Sequence, residues 1–119
     1  MQYLLMIYET EANRTKVNPG ELGKMMAEYK TFTESIVGSG HYKGGNALEP
    51  TSTATTVRVR EGKPVSTDGP FAETREQLGG YYLVEAKNLD EAISIAARIP
   101  SAKWGSIEVR PIRVFRDEM

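Results

Sequence analysis

Tyr3-Leu4-Leu5-Met6-Ile7-Tyr8 is an unbroken apolar run of strand length, the pattern of a strand covered on both faces. Residues 9–17 are polar and read as a loop. Asn18-Pro19-Gly20-Glu21 reads as a helix start. Asn18 supplies a capping oxygen, Pro19 suits the first helical position, and Glu21 stands where a capping-box acid belongs. Leu22, Met25, Met26, Tyr29, Phe32, Ile36 and Val37 follow at spacings that lay one apolar stripe along a helix. Gly38 and Gly40 end it.

The second half repeats the alternation of strand and helix. Residues 42–48 form a weaker strand, loosened by Gly44 and Gly45. Residues 55–60 alternate Thr55, Val57 and Val59 with Thr56, Arg58 and Arg60. Glu61-Gly62-Lys63 then turns the chain into a short strand near Val65, so a hairpin is expected with its arginine face in water. Asp68-Gly69-Pro70-Phe71 is a turn, and Gly79-Gly80 opens an apolar strand over residues 81–84. Asn88-Leu89-Asp90-Glu91 starts a second helix with Ala92, Ile93, Ala96 and Ile99 as its buried side, and Pro100 stops it. Ile107, Val109, Ile112 and Val114 belong to a last strand, which Pro111 assigns to an edge or a bulge.

The predicted fold class is α+β: a ferredoxin-like βαββαβ unit with an inserted β-hairpin, in a single domain over residues 1–119. Two helices cover one face of the four-stranded sheet. The first and third main strands are apolar on both sides, and a chain this short has no spare element for the second face. An exposed apolar sheet is an association site. The same sheet from a second copy is the simplest cover, so a homodimer is expected, as a two-fold dimeric α+β barrel.

Composition narrows the function classes. The 119 residues are 39% apolar and 26% charged, ordinary for a globular chain, with a net charge of −1. That balance lacks the basic footprint of a nucleic-acid partner. There are no cysteines, which removes disulfides, thiolate catalysis and cysteine metal sites, and points to a reducing, cytoplasmic setting. The apolar N-terminus has no basic region or cleavage site, and no run approaches the ~20 apolar residues of a membrane span. With one histidine, a zinc site would need carboxylates for all its other ligands, so neither metal nor cofactor is expected.

The stretch from Ala54 to Arg60, then Thr67-Asp68-Gly69-Pro70-Phe71-Ala72-Glu73-Thr74-Arg75-Glu76-Gln77-Leu78-Gly79-Gly80-Tyr81-Tyr82, resembles the signature of the DGPF branch of the YCII-related family. The start, Tyr3 to Tyr8, and the end, Glu108-Val109-Arg110-Pro111, are similar to it too, so the resemblance covers nearly the whole chain. It implies a bacterial protein with a dimeric α+β barrel, the arrangement expected above. Many members accompany alternative sigma factors, which implies a regulatory setting. The wider family is thought to use a His–Asp pair beside the sheet. Its Asp matches Asp68, while the place of its His is occupied by Tyr29.

Each candidate site residue carries two readings. Asp68 is a general base in a desolvated cleft, or a turn-former whose carboxylate accepts backbone N–H groups. Tyr29 is a hydrogen-bond donor or acid toward a ligand, or a core aromatic on the helix stripe. His41 is a ligand-binding group that titrates near neutrality, or a side chain facing the last carbonyls of a helix. Arg58 and Arg110 are preferred among the arginines as anion ligands, against their reading as a solvated strand face. Tyr8, Phe71 and Tyr82 are further ligand-binding candidates, and Tyr8 and Tyr82 are equally dimer-core residues.

Two function classes remain. In the first, the protein binds a small polar or aromatic molecule, or acts on it without a cofactor as an isomerase or lyase, in a pocket around Asp68 between sheet and helices. In the second, it is a non-catalytic regulatory module that contacts a protein partner, in a setting linked to sigma-factor-dependent transcription. The second predicts an exposed apolar or charged patch and no enclosed polar cavity.

Overall fold

In the computed structural model, which describes residues 1–14 and 16–115, the N-terminal run becomes β1 (Gln2–Glu9), followed by a one-turn helix α1 (Glu11–Arg14). The polar pattern predicts a loop over residues 9–17. Glu9 instead ends the strand, residues 11–14 are helical, and Thr15 lies outside the described residues. The long helix α2 (Pro19–Gly38) starts where its capping residues place it, with Asn18 Oδ1 accepting from the Glu21 N–H at 2.8 Å. The chain continues through β2 (Tyr42–Ala47), β3 (Thr55–Arg60), β4 (Lys63–Asp68) and β5 (Gln77–Glu85) to α3 (Leu89–Ala97) and β6 (Ser106–Pro111). Asn88 caps α3 as Asn18 caps α2, accepting from Glu91 N–H at 2.9 Å.

The main sheet has the order β2-β5-β1-β6, and every pair is antiparallel. This is the α+β, ferredoxin-like arrangement that the element order predicts. β6 is an edge strand, as Pro111 required; the strand ends there, and Val114 lies beyond it. Gly79 and Gly80 lie within β5, not before it. β3 and β4 form a separate two-stranded sheet. Their turn is Glu61-Gly62, both with positive φ (51° and 76°), the two-residue turn whose twist matches that of its strands.

Side chains alternate across β1. Tyr3, Leu5 and Ile7 are buried with Phe32 and Ile36 of α2, Ala92, Ile95 and Ala96 of α3, and Ile99. Ile95, not Ile93, belongs to the buried side of α3: positions 92, 95, 96 and 99 keep one face, and Ile93 points outward. Leu4, Met6 and Tyr8 occupy the opposite face of the sheet and are only half-buried. Across the ladder Leu4 meets Leu83 and Met6 meets Tyr81, so an apolar band runs over that face with no element of the described residues on it.

The described helices do not cross a membrane, because none is long and apolar enough. The chain is a slab of 48 × 48 × 19 Å with a radius of gyration of 16.7 Å. A compact chain of this length has a radius near ~13.5 Å. It exposes 8651 Å² of surface, against roughly 6,400 Å² for a monomer of this mass. The surplus is about 2,200 Å².

Candidate functional site

The apolar stripe of α2 divides in two. Phe32 and Ile36, in its C-terminal half, are buried in the core, whereas Leu22 and Met26 in its N-terminal half remain exposed. The difference lies in the strands beneath. β2 and β5 bring Gly45, Ala47, Gly79 and Gly80 under the N-terminal half, and these residues have no bulk to fill the space. At Gly80 the small residue is obligatory, since a Cβ there would lie 2.8 Å from the Asn46 carbonyl oxygen.

A cavity of about 700 Å³ results, walled by Ile7, Leu22, Met25 and Met26, with Tyr29, Tyr42, Tyr81 and Tyr82 around it. Its polar atoms are placed by hydrogen bonds. Tyr82 Oη and Thr33 Oγ1 are 2.7 Å apart, whereas the 2.7 Å bond from Asn46 Nδ2 to Tyr81 Oη lies on the opposite face of the sheet, beside Met6. The Tyr29 hydroxyl is 2.5 Å from Ser101 Oγ, in the short 3-10 turn Pro100–Lys103 after α3. Tyr82 is fixed from both sides, with edge-on rings Phe32 at 5.2 Å and Tyr42 at 6.3 Å. A smaller hollow of about 460 Å³ flanks α2 on its other side, and Glu9 and Met25 line both spaces. Glu9 is a buried carboxylate that accepts from Trp104 Nε1–H at 2.9 Å.

Burial pushes the Tyr29 phenol above its ordinary value, and the hydrogen bond with Ser101 opposes that shift. Burial raises Tyr82 in the same way, against its bond with Thr33. Both therefore stay neutral donors and acceptors throughout the physiological range. A raised folded-state pKa contributes stability that is complete below the unfolded value of about 10 and is lost as pH rises through the folded value. Melting temperature should fall above about pH 10, and the fall should be shallower in Tyr29→Phe. That variant also leaves the buried Ser101 hydroxyl without its partner, a cost of about 1–3 kcal/mol at neutral pH. Thermal melts at pH 8 and pH 11 of both proteins check this, and parallel curves would exclude the assigned titration.

The other candidates chosen from the sequence lie elsewhere in the chain. Tyr29 and Tyr82 share the cavity, whereas Asp68 is not among its described lining residues. Asp68 ends β4, opposite Thr55, and is exposed. Arg58 is exposed on β3, and Phe71 follows Gly69 on the return from the hairpin. Tyr8 and Arg110 occupy the uncovered sheet face, paired in register with Ser106 and Leu4. His41 is bound into the frame: its Nδ1 is 2.6 Å from Ser39 Oγ, and its Nε2 is 3.2 Å from Glu91 Oε1. A hydroxyl, an imidazole and a carboxylate in a row can serve as a nucleophile relay. Here, however, Ser39 Oγ also donates to the Ile36 carbonyl at 3.2 Å and sits at the C-terminus of α2. The partial negative charge of a helix C-terminus opposes a developing oxyanion, so the trio joins the end of α2 to the start of α3. No group of three potential metal ligands converges among the described residues.

Glu9, Thr33, Asn46, Ser101 and Trp104 were not singled out from the sequence. One signal was available for the cavity, two Gly-Gly pairs on strands that become neighbours, Gly44-Gly45 and Gly79-Gly80. A model of the YCII-related domain matches residues 1–116. The chain is also similar to an uncharacterized protein of Rhizobium meliloti (strain 1021), 34% identical over 118 residues that span 98% of this chain and 95% of that one.

Proposed function

The chain belongs to the YCII-related family, and from that premise we propose that it is a homodimeric small-molecule-binding domain whose ligand occupies the cavity between α2 and the β2–β5 side of the sheet. The observation that carries this reading is the cavity itself. Its volume of about 700 Å³ is that of a site for a drug-sized ligand, and an apolar, aromatic wall with a few oriented polar atoms is the usual composition of such sites. The ligand that fits is a compact aromatic or apolar molecule with one or two hydrogen-bonding groups. The Thr33–Tyr82 and Tyr29–Ser101 pairs present hydroxyls to it, with Tyr29 as the donor to a carbonyl or oxyanion.

The homodimer is supported by the half-buried band of Leu4, Met6, Tyr81 and Leu83 and by the surplus of exposed surface. Burying about 2,200 Å² per copy would give an interface of obligate size. A protein-interaction role is favoured by one observation, the exposed apolar side of the hairpin, and a second copy of the chain accounts for that surface as argued below.

A thermal-shift screen of aromatic and apolar metabolites against wild type and Ala47→Trp tests the binding reading. Ala47 lies on an edge strand at the cavity, so a tryptophan there fills the space without entering the core. A compound that stabilises wild type and not the variant supports the site. Equal stabilisation of both, or no stabilising compound at all, would sink it.

A further inference from the structure

Among the described residues the hairpin Thr55–Asp68 is paired only with itself. An isolated two-stranded hairpin is marginal in water and needs a third layer to persist. Its strands place Val57, Val59 and Pro64 on one face, with Ser66 and with Asp68 at the open end, and Arg58, Arg60 and Lys63 on the other around Val65, since residues opposite in the ladder share a face. A hairpin lying on its own body would hide the valines and present the basic face. Instead Val57 is 63% and Val59 61% exposed, and Phe71 at the hairpin's base is 79% exposed. Its dry side is therefore built for a surface that its own chain does not provide.

The chain offers two apolar surfaces that could receive it. One is the band on the uncovered sheet face, which in the homodimer meets the same band of the second copy. The other is the mouth of the cavity, where Leu22 and Met26 of α2 stand exposed. Reach permits the second. Six-residue strands extend about 20 Å, and stacked sheets lie about 10 Å apart, so a hairpin can pass the edge of a facing sheet and reach the helix layer beyond.

We propose that the hairpin is an exchanged arm: in the homodimer it leaves its own chain, passes the β2 edge of the second copy, and lays Val57, Val59 and Phe71 on that copy's Leu22–Met26 mouth. Each cavity is then completed by the other chain. The exchange carries Asp68 and its turn toward the cavity that its own chain keeps from it. This inference rests on the homodimer proposed above.

The absence of cysteine makes the test direct. Val59→Cys and Met26→Cys are made as separate single variants, mixed, allowed to exchange subunits, and treated with a short bis-maleimide. The expected result is a covalent dimer in the mixture and none in either variant alone. Alongside, Val57→Asp/Val59→Asp should retain the wild-type circular dichroism, because both sites are exposed within the chain, and should dissociate at least tenfold more readily. A dimeric wild type that gives no mixed cross-link, or a double variant with unchanged dissociation, would overturn the arm and leave the sheet-to-sheet dimer standing. A monomeric wild type would overturn both.

Discussion

Gly105→Ala is expected to destabilise the protein by about 3 kcal/mol or more, the upper end of overpacking costs, and to lower the melting temperature by about 10 °C or more. Gly105 sits in the bend between the 3-10 turn Pro100–Lys103 and β6, where the chain crosses the end of β1. A methyl group there would run into the Tyr8 carbonyl oxygen and approach Glu9 Cβ at 3.1 Å and the Ser101 carbonyl at 3.2 Å. Two of these obstacles are backbone atoms, so relief requires shifting the strand end itself. The same bend holds Ser101 against Tyr29 and Trp104 against Glu9, so the variant should also loosen the wall of the cavity. Gly23→Ala is the control: a Cβ at Gly23 meets nothing within 4 Å on the α2 surface, and alanine in place of glycine there should stabilise by about 0.5–1 kcal/mol. Urea unfolding of both variants checks the pair. A Gly105→Ala protein as stable as wild type would refute the crossing.

The second large effect separates the two halves of α2. Ile36→Ala removes a fully buried side chain from the centre of the core and should cost about 2–5 kcal/mol, the range for aliphatic truncation with a residual cavity. Met26→Ala, ten positions earlier on the same stripe, should change stability by less than ~0.5 kcal/mol, because little surface is withdrawn from water at an exposed side chain. Sequence periodicity treats the two positions as equivalent. Similar losses at both would mean that the N-terminal half of α2 packs on the sheet and that the cavity does not exist.

Much of the fold was legible in order. Asn18-Pro19 and Asn88 mark the two helix starts through backbone capping bonds made within three residues, and Glu61-Gly62 marks the hairpin turn through local backbone sterics. Such signals act over a few residues, so they survive without knowledge of what packs where. The family, too, was readable from the run Thr67–Tyr82. Where the reading missed, a neighbour distant in sequence decided the outcome. The polar run makes Glu9 look like the start of a loop, but pairing with Gln77 across the sheet extends β1 through it, and Trp104, 95 residues away, binds its carboxylate.

The candidate site follows the same division. By itself the sequence determined the element order, the stripe that puts Tyr29 on the sheet-facing side of α2, and the unbroken run that makes both faces of β1 apolar. It could not reveal that Gly45 and Gly80 would come beneath Leu22 and Met26, because strand neighbours are chosen by long-range pairing and not by local preference. Nor could it separate Tyr29 from Asp68, a question that only the path of the chain between α2 and β4 answers. Capping and periodicity are local and are therefore written in the sequence. A cavity is the space left between surfaces, and it exists only once the distant segments that bound it have been brought together.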